Sequence, residues 1–206
     1  MKRLRIARVA GVCGVLGLAF GFDLGLAAPA MARDYVLNKG HTEIRFSWNH
    51  AGVSEQSGEF TAFEGTLSLD EADVTKSVLD VTIQTASMAT GFKPLDDDLT
   101  SKNFFEVAKY PTIHFKSTAI RKTGTATAAV TGDLTIHGVT RPVTLDVKLV
   151  FRGKHPVGQF IDYYKGDWLG FSASGTLLRS DFGVGRYAPL VSDTIHLAIS
   201  TELKAK

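Results

Sequence analysis

The stretch that decides the fold runs from Thr131 to Phe151 and reads TGDLTIHGVTRPVTLDVKLVF. Gly132, Leu134 and Ile136 alternate with Thr131, Asp133, Thr135 and His137. Beyond His137-Gly138-Val139-Thr140, residues Val143, Leu145, Val147, Leu149 and Phe151 alternate with Thr144, Asp146, Lys148 and Val150. Side chains on a strand point to opposite faces in turn, so a period of two predicts strands with one apolar and one wet face. The glycine-containing break between the two runs predicts a tight turn.

The pattern extends in both directions. Ile44, Phe46 and Trp48 alternate with Glu43, Arg45 and Ser47; Phe63, Gly65, Leu67 and Leu69 with Glu64, Thr66 and Ser68; Leu79, Val81 and Ile83 with Asp80, Thr82 and Gln84. Ile113 and Phe115 oppose Thr112, His114 and Lys116, and Ile195, Leu197 and Ile199 oppose His196, Ala198 and Ser200. Adding Tyr35–Leu37 and Trp168–Leu177 gives roughly eight or nine strands, which predicts an all-β sandwich or barrel. A closed barrel leaves no strand edge free to aggregate. The strand glycines Gly65, Gly132 and Gly175 are read as bends or bulges.

One segment breaks the alternation. Pro94-Leu95-Asp96-Asp97-Asp98-Leu99 places Pro near a helix start and acids at its positive dipole end, and Leu95 and Leu99 share a face. A short helix is predicted between two strands, continuing through Asn103-Phe104-Phe105 and stopped by Pro111, with its Leu and Phe side chains over one barrel end. The three Asp lack the alternate spacing and glycine of a calcium loop, so a metal site is disfavoured.

The N-terminal residues 1–32 read as a cleaved secretory signal. Lys2, Arg3, Arg5 and Arg8 precede an apolar run from Val9 to Phe22, which Asp23 ends, and Ala30-Met31-Ala32 is a small-residue cleavage site. The run falls short of the ~20 residues of a spanning helix, so no stable membrane insertion is expected after cleavage. Cys13 leaves with this segment. A domain of residues 33–206 remains, without cysteine, and with no disulfide or thiolate chemistry. Removing the four basic residues and Asp23 turns the formal net charge from +2 to −1. A near-neutral domain without a basic stripe argues against nucleic acid and against strong docking to anionic membranes.

Catalytic signatures are sparse. The six histidines at 41, 50, 114, 137, 155 and 196 form no H-E-x-x-H motif, and no G-x-S-x-G elbow occurs. His114, His137 and His196 fall on the polar faces of their strands. His137 could instead bond a neighbouring loop. Arg179, Ser180, Asp181 and Arg186 form the one concentrated polar cluster, read either as a salt-bridged turn or as a contact for a polar headgroup at a barrel mouth. The aromatic-rich stretch Phe160–Trp168 is open to three readings: a flap, a membrane-touching surface or a packed strand.

Taken in order, several motifs resemble the YceI family of lipocalin-like periplasmic proteins. They are Ser47-Trp48-Asn49-His50-Ala51-Gly52-Val53-Ser54, Gly58 to Leu67, Leu95 to Leu99, Phe104 to Ile113, Gly132 to Val143, Gly170-Phe171-Ser172-Ala173-Ser174-Gly175-Thr176, Arg179 to Gly185, and Ser192-Asp193. The resemblance implies an eight-stranded antiparallel lipocalin-like barrel with a short helix, and an elongated apolar cavity for an isoprenoid-type lipid such as a polyprenyl chain or quinone. It implies a periplasmic lipid-binding protein rather than an enzyme, with no cofactor beyond that ligand; a homodimer is left open. Two positions depart from the pattern: Asp98 and Ala51 stand where relatives often carry His. The bulky candidates for the cavity wall are Phe46, Trp48, Phe63, Val81, Phe115, Leu134, Leu145 and Phe171, and Gly132, Ala173 and Gly175 would leave room between them. A tail of ~40 carbons at about −0.3 kcal/mol per heavy atom would bind with about −12 kcal/mol, roughly nanomolar, without a charged contact. The rival is an enzyme acting on a lipid or quinone, for which His41, His50, His137 and Asp181 are the candidates. A second is an accessory module for a membrane redox protein.

Overall fold

The computed structural model describes residues 32–206. The export signal and Cys13 lie outside the described residues, except that Ala32 falls just inside them. Ten strands follow in chain order: β1 (Arg33–His50), β2 (Ser54–Phe60), β3 (Phe63–Leu69), β4 (Val78–Gln84), β5 (Met88–Ala89), β6 (Thr112–Lys122), β7 (Thr127–Ile136), β8 (Val139–Lys154), β9 (Asp167–Leu178) and β10 (Thr194–Ala205). One helix, α1 (Lys93–Thr100), lies between β5 and β6.

Every pairing is antiparallel, and the sheet closes where β10 meets β1. The closed ring is β1, β3, β4, β6, β7, β8, β9 and β10, an eight-stranded barrel. The 18-residue β1 divides its free side between two partners. Arg33–Val36 pair with β3, whereas Ile44–His50 pair with β2, which extends the wall at that end and carries β5 on its outer edge.

Alternation positions the core. Leu79, Val81 and Ile83 of β4, Val143 to Leu149 of β8 and Ile195 to Leu203 of β10 turn every second side chain inward. Three irregularities reset the phase. They lie between Leu37 and Thr42 in β1, between Ser117 and Ala119 in β6, and between Leu149 and Phe151 in β8. An extra residue on one strand reverses the facing of all that follows. Phe151 therefore leaves the inward set with which its sequence spacing groups it. Its ring meets His155 outside the barrel, and Arg152 takes the inward position.

The strand glycines are not themselves the bulges. Gly65, Gly132 and Gly175 sit in regular register opposite Val81, Val143 and Leu197. Each lies where a Cβ would collide: 2.8 Å from Leu37 Cδ1, 2.4 Å from Phe115 Cζ and 2.9 Å from Leu145 Cδ2 respectively. The β7–β8 hairpin turns on His137 and Gly138, with φ of 52° and 75°. Two successive left-handed residues make the type I′ turn whose twist suits a hairpin.

Helix α1 begins with Pro94 in its first turn, as predicted, but ends at Thr100. The Ser101 N–H and hydroxyl both bond the Asp98 carbonyl, and the Ser101 backbone is extended. Asn103-Phe104-Phe105 therefore form turns rather than further helix. Between β8 and β9 the aromatic stretch is not strand for most of its length, since β9 starts only at Asp167. Two short 3-10 turns (Pro156–Gln159 and Asp162–Tyr164) fold back over the outside of β9. Trp168 is 1% exposed there, with its Nε1–H donated to the Tyr164 carbonyl at 2.9 Å.

Candidate functional site: an apolar cavity through the barrel

The inward faces do not meet. They surround a cavity of about 1010 Å³, at the upper limit of the ~300–1,000 Å³ usual for small-molecule sites. Its wall on β10 reaches from Ile195 to Leu203, roughly 26 Å along the strand at ~3.3 Å per residue. With a tilt of about 40° that is roughly 20 Å along the barrel axis.

Of the sequence candidates, Phe46, Trp48, Val81, Phe115, Leu134, Leu145, Phe171 and Ala173 form part of this wall. Phe63 is buried in the core cluster and does not reach the cavity. Gly132 and Gly175 do not line it either, because the space above them is filled by Phe115 and Leu145. Gly58 holds Phe46 in the same way, with the Phe46 Cζ 2.5 Å from where its Cβ would stand. The glycines thus set how flat the aromatic rings lie against the wall, and the hollow is left by the rings' lying down.

The middle of the wall is nearly all hydrocarbon. Its central polar feature is the Thr42–Thr201 hydroxyl pair, 2.7 Å apart across β1 and β10. One hydroxyl donates to the other, so each has a partner within the wall and the pair puts no charge in the middle of the cavity. Titratable groups occur only at the two ends. One end carries His50, Asp98, Arg179 and Arg186 among Phe92, Leu95, Leu99, Phe104 and Tyr187. The other carries Glu71, Lys122 and Arg152, with an Arg152–Glu71 ion pair of 2.6 Å. Alternation alone did not reveal this second polar end, because the bulges in β6 and β8 turn Lys122 and Arg152 inward.

Arg179 is 8% exposed and anchors the loop over the first end. Its guanidinium donates to the carbonyls of Ser192, Val184, Arg186 and Val191 at 2.7–2.9 Å. The expected salt-bridged turn is thus a turn held by carbonyls. Asp181 is exposed, and the nearby carboxylate of Asp193 accepts from the Ser180 N–H and hydroxyl instead. Burial lowers the Arg179 guanidinium from its ordinary pKa, opposed by the charge of Asp193.

The candidates for acid–base chemistry do not converge. His50 lines the cavity. His41 lies outside the barrel, 2.9 Å from the Asn38 amide. His137 packs under Tyr110 with ring centroids 4.3 Å apart, its Nε2 buried 3.9 Å from a Glu106 carboxylate oxygen. His114 pairs with Asp80 at 2.8 Å on the outer face of β4 and β6, and His196 is exposed. His155 lies 3.4 Å from Glu202 beneath Tyr164. The three acids of α1 are separately engaged: Asp96 accepts from Thr90, Asp97 pairs with Lys93 and Asp98 accepts from Asn103. Ala51 sits in the exposed β1–β2 turn at φ 57° and does not touch the cavity, whereas Asp98 does.

Comparison with known proteins places the same barrel in a wider group. Residues 35–203 match the YceI-like domain. The UPF0312 protein of Pseudomonas syringae pv. syringae (strain B728a) is 41% identical over 187 residues, spanning 90% of this chain and 93% of the relative. The crystal structure of the Campylobacter jejuni YCEI protein superposes with a TM-score of 0.67 at 31% identity, covering 77% of this chain and 90% of that one. A polyisoprenoid binding domain from Saccharophagus degradans, implicated in plant cell wall breakdown, shares the fold at 12% identity with a TM-score of 0.58, covering 85% and 99% of the two chains.

Proposed function

Since this chain belongs to the YceI family, we propose that it is a non-enzymatic carrier or sequestering protein of the periplasm. It holds an isoprenoid-type lipid, a polyprenyl chain or a quinone, inside its barrel. The observation that carries this reading is the 1010 Å³ cavity with a hydrocarbon middle and polar ends. Apolar surface gains about 25 cal/mol per Å² on leaving water, and such a tube desolvates a long tail along its whole length. A headgroup then rests at one of the charged ends, where water reaches it. The Saccharophagus domain of the same fold, named for polyisoprenoid binding, supports the ligand class. The periplasmic assignment rests on the reading of residues 1–32 as an export signal.

Cavity-lining candidates of the sequence that reach the wall, Phe46, Trp48 and Val81 among them, would contact the tail. Solvent extraction of protein purified from its host, followed by mass spectrometry, tests the proposal. A single class of prenyl lipid at near one equivalent is expected. Protein that comes out empty, and stays empty after incubation with polyprenol or ubiquinone, overturns it.

A further inference from the structure

The two ends of the cavity differ in a way that the binding reading leaves unused. Around the first end stand four exposed apolar side chains: Val53 (82% exposed), Phe92 (62%), Tyr187 (56%) and Leu190 (72%). They come from three separate connections, the β1–β2 turn, the lead into α1 and the loop before β10. The fold draws these together. Val53 N–H bonds the His50 carbonyl, His50 bridges to Val191, and Ser192 N–H bonds the Asn49 carbonyl. Phe104 meets Tyr187 with ring centroids 6.2 Å apart.

Phe92 and Tyr187 also line the cavity. The exposed rim is therefore continuous with the apolar inner wall along Phe92 and Tyr187, which gives a hydrocarbon an apolar path past the charged groups of this end. We propose that this rim docks on the surface of a lipid bilayer and that the ligand enters and leaves there by direct contact. The inference rests on the lipid-carrier reading. A patch of aromatic and aliphatic tips at a hole is otherwise a cost in water, and Tyr belongs among the residues enriched at membrane interfaces.

Charge specifies the kind of bilayer. Lys93 is held by Asp97 at 2.6 Å, and Arg186 lies over the Tyr187 ring at 4.9 Å. Asp98 accepts from Asn103 at 2.7 Å, and Glu55 from Asn49 at 3.2 Å. Each of these charged groups is engaged by a neighbour and neither sign dominates, so the fitting surface is zwitterionic and the attachment is hydrophobic, with little dependence on salt.

The rest of the surface supplies the contrast. The opposite cavity end is rimmed by Glu71, Arg152 and Lys122. A second apolar patch, Phe160 (80% exposed) with Ile161 and Tyr163, lies in the β8–β9 connection and contributes nothing to the cavity wall.

The test follows transfer of a fluorescent polyprenol from the purified protein to phosphatidylcholine vesicles. The rate is expected to rise with vesicle concentration, to change little between low and high salt, and to fall at least about tenfold (one decade, ~1.4 kcal/mol) in the double variant Val53→Glu/Leu190→Glu. Neither residue lines the cavity, so that variant should still hold the probe. Phe160→Ser should transfer like the parent. A rate independent of vesicle concentration, or a double variant as fast as the parent, overturns the proposal. So does transfer that occurs only to vesicles carrying anionic lipid, or only when a membrane protein is added. If the parent does not hold the probe at all, the lipid-carrier reading fails and takes this inference with it, a result distinct from a protein that holds lipid but releases it through water.

Discussion

Phe115 lies over Gly132 across the β6–β7 pair, with its Cζ 2.4 Å from the place a Cβ would occupy. The partner strand bulges beside it, between Ser117 and Ala119. An aromatic ring, a missing side chain and a phase shift thus meet at one point on the wall. Gly132→Ala is expected to destabilise the protein by about 1–3 kcal/mol through overpacking. Adding Phe115→Leu should recover only part of that loss, because the Lys116 carbonyl also stands 2.6 Å from the new carbon. Urea unfolding of the two variants checks this, and full recovery would show that the ring alone demands the glycine.

Arg179 provides a second measure, since it serves four carbonyls at once. Arg179→Met keeps much of the volume and leaves those carbonyls without a donor. The expected loss is about 2–5 kcal/mol, with faster amide exchange from Gly183 to Ser192. Arg179→Lys should fall between, because one ammonium has three donors and no planar fork to reach four acceptors. If Met were tolerated within about 0.5 kcal/mol, the guanidinium would not be what holds this loop.

The strands were legible because alternation is local: it depends only on the order of residues such as Leu79, Val81 and Ile83. The bulges were not, since one extra residue looks like ordinary sequence until a partner strand is present to count against it. Phe151 and Arg152 exchanged faces for that reason. Phe63 shows a related limit. Its face was legible, but whether an inward side chain touches a neighbour or a void depends on the volume left after all eight strands close. By sequence Gly132 and Gly175 suggest room for a ligand, whereas Phe115 and Leu145 occupy that room. The cavity itself was carried at the sequence level by family resemblance, because hollow and filled barrels share one hydrophobic pattern.

Asp167 ties three strands at the polar barrel end. It accepts from Arg33 at 2.7 Å and from Lys154 at 2.8 Å. These hydrogen bonds, Lys154 first and then Arg33, hold its carboxyl below the usual aspartate pKa. A depressed pKa gives stability that is fully present above the unfolded value of about 3.9 and is lost as pH falls through the folded value. The unfolding midpoint of Asp167→Asn should therefore lie slightly below that of the parent at pH 7, and the gap should close in acid. A gap that persisted unchanged well below pH 3.9 would assign it to packing rather than to charge.

Ala173 separates a hollow barrel from a filled one. It lines the cavity from β9, opposite Val147 on one side and Ile199 on the other. Its neighbour Ser174 faces out and is exposed. In a filled core Ala173→Phe would force several carbons into occupied space and cost about 1–3 kcal/mol or more. In a barrel with a 1010 Å³ cavity the ring has somewhere to go, and the added apolar burial offsets what strain remains. The variant is expected to unfold within about 1 kcal/mol of the parent while yielding much less extractable lipid, because the ring stands where a tail would thread. Ser174→Phe, with the same bulk on the opposite face, should leave lipid content unchanged. Measuring stability and lipid on the same preparations separates the two cases: severe destabilisation of Ala173→Phe alone would mean that the inward faces interlock, whereas a stable, lipid-poor variant requires that the space was open and in use.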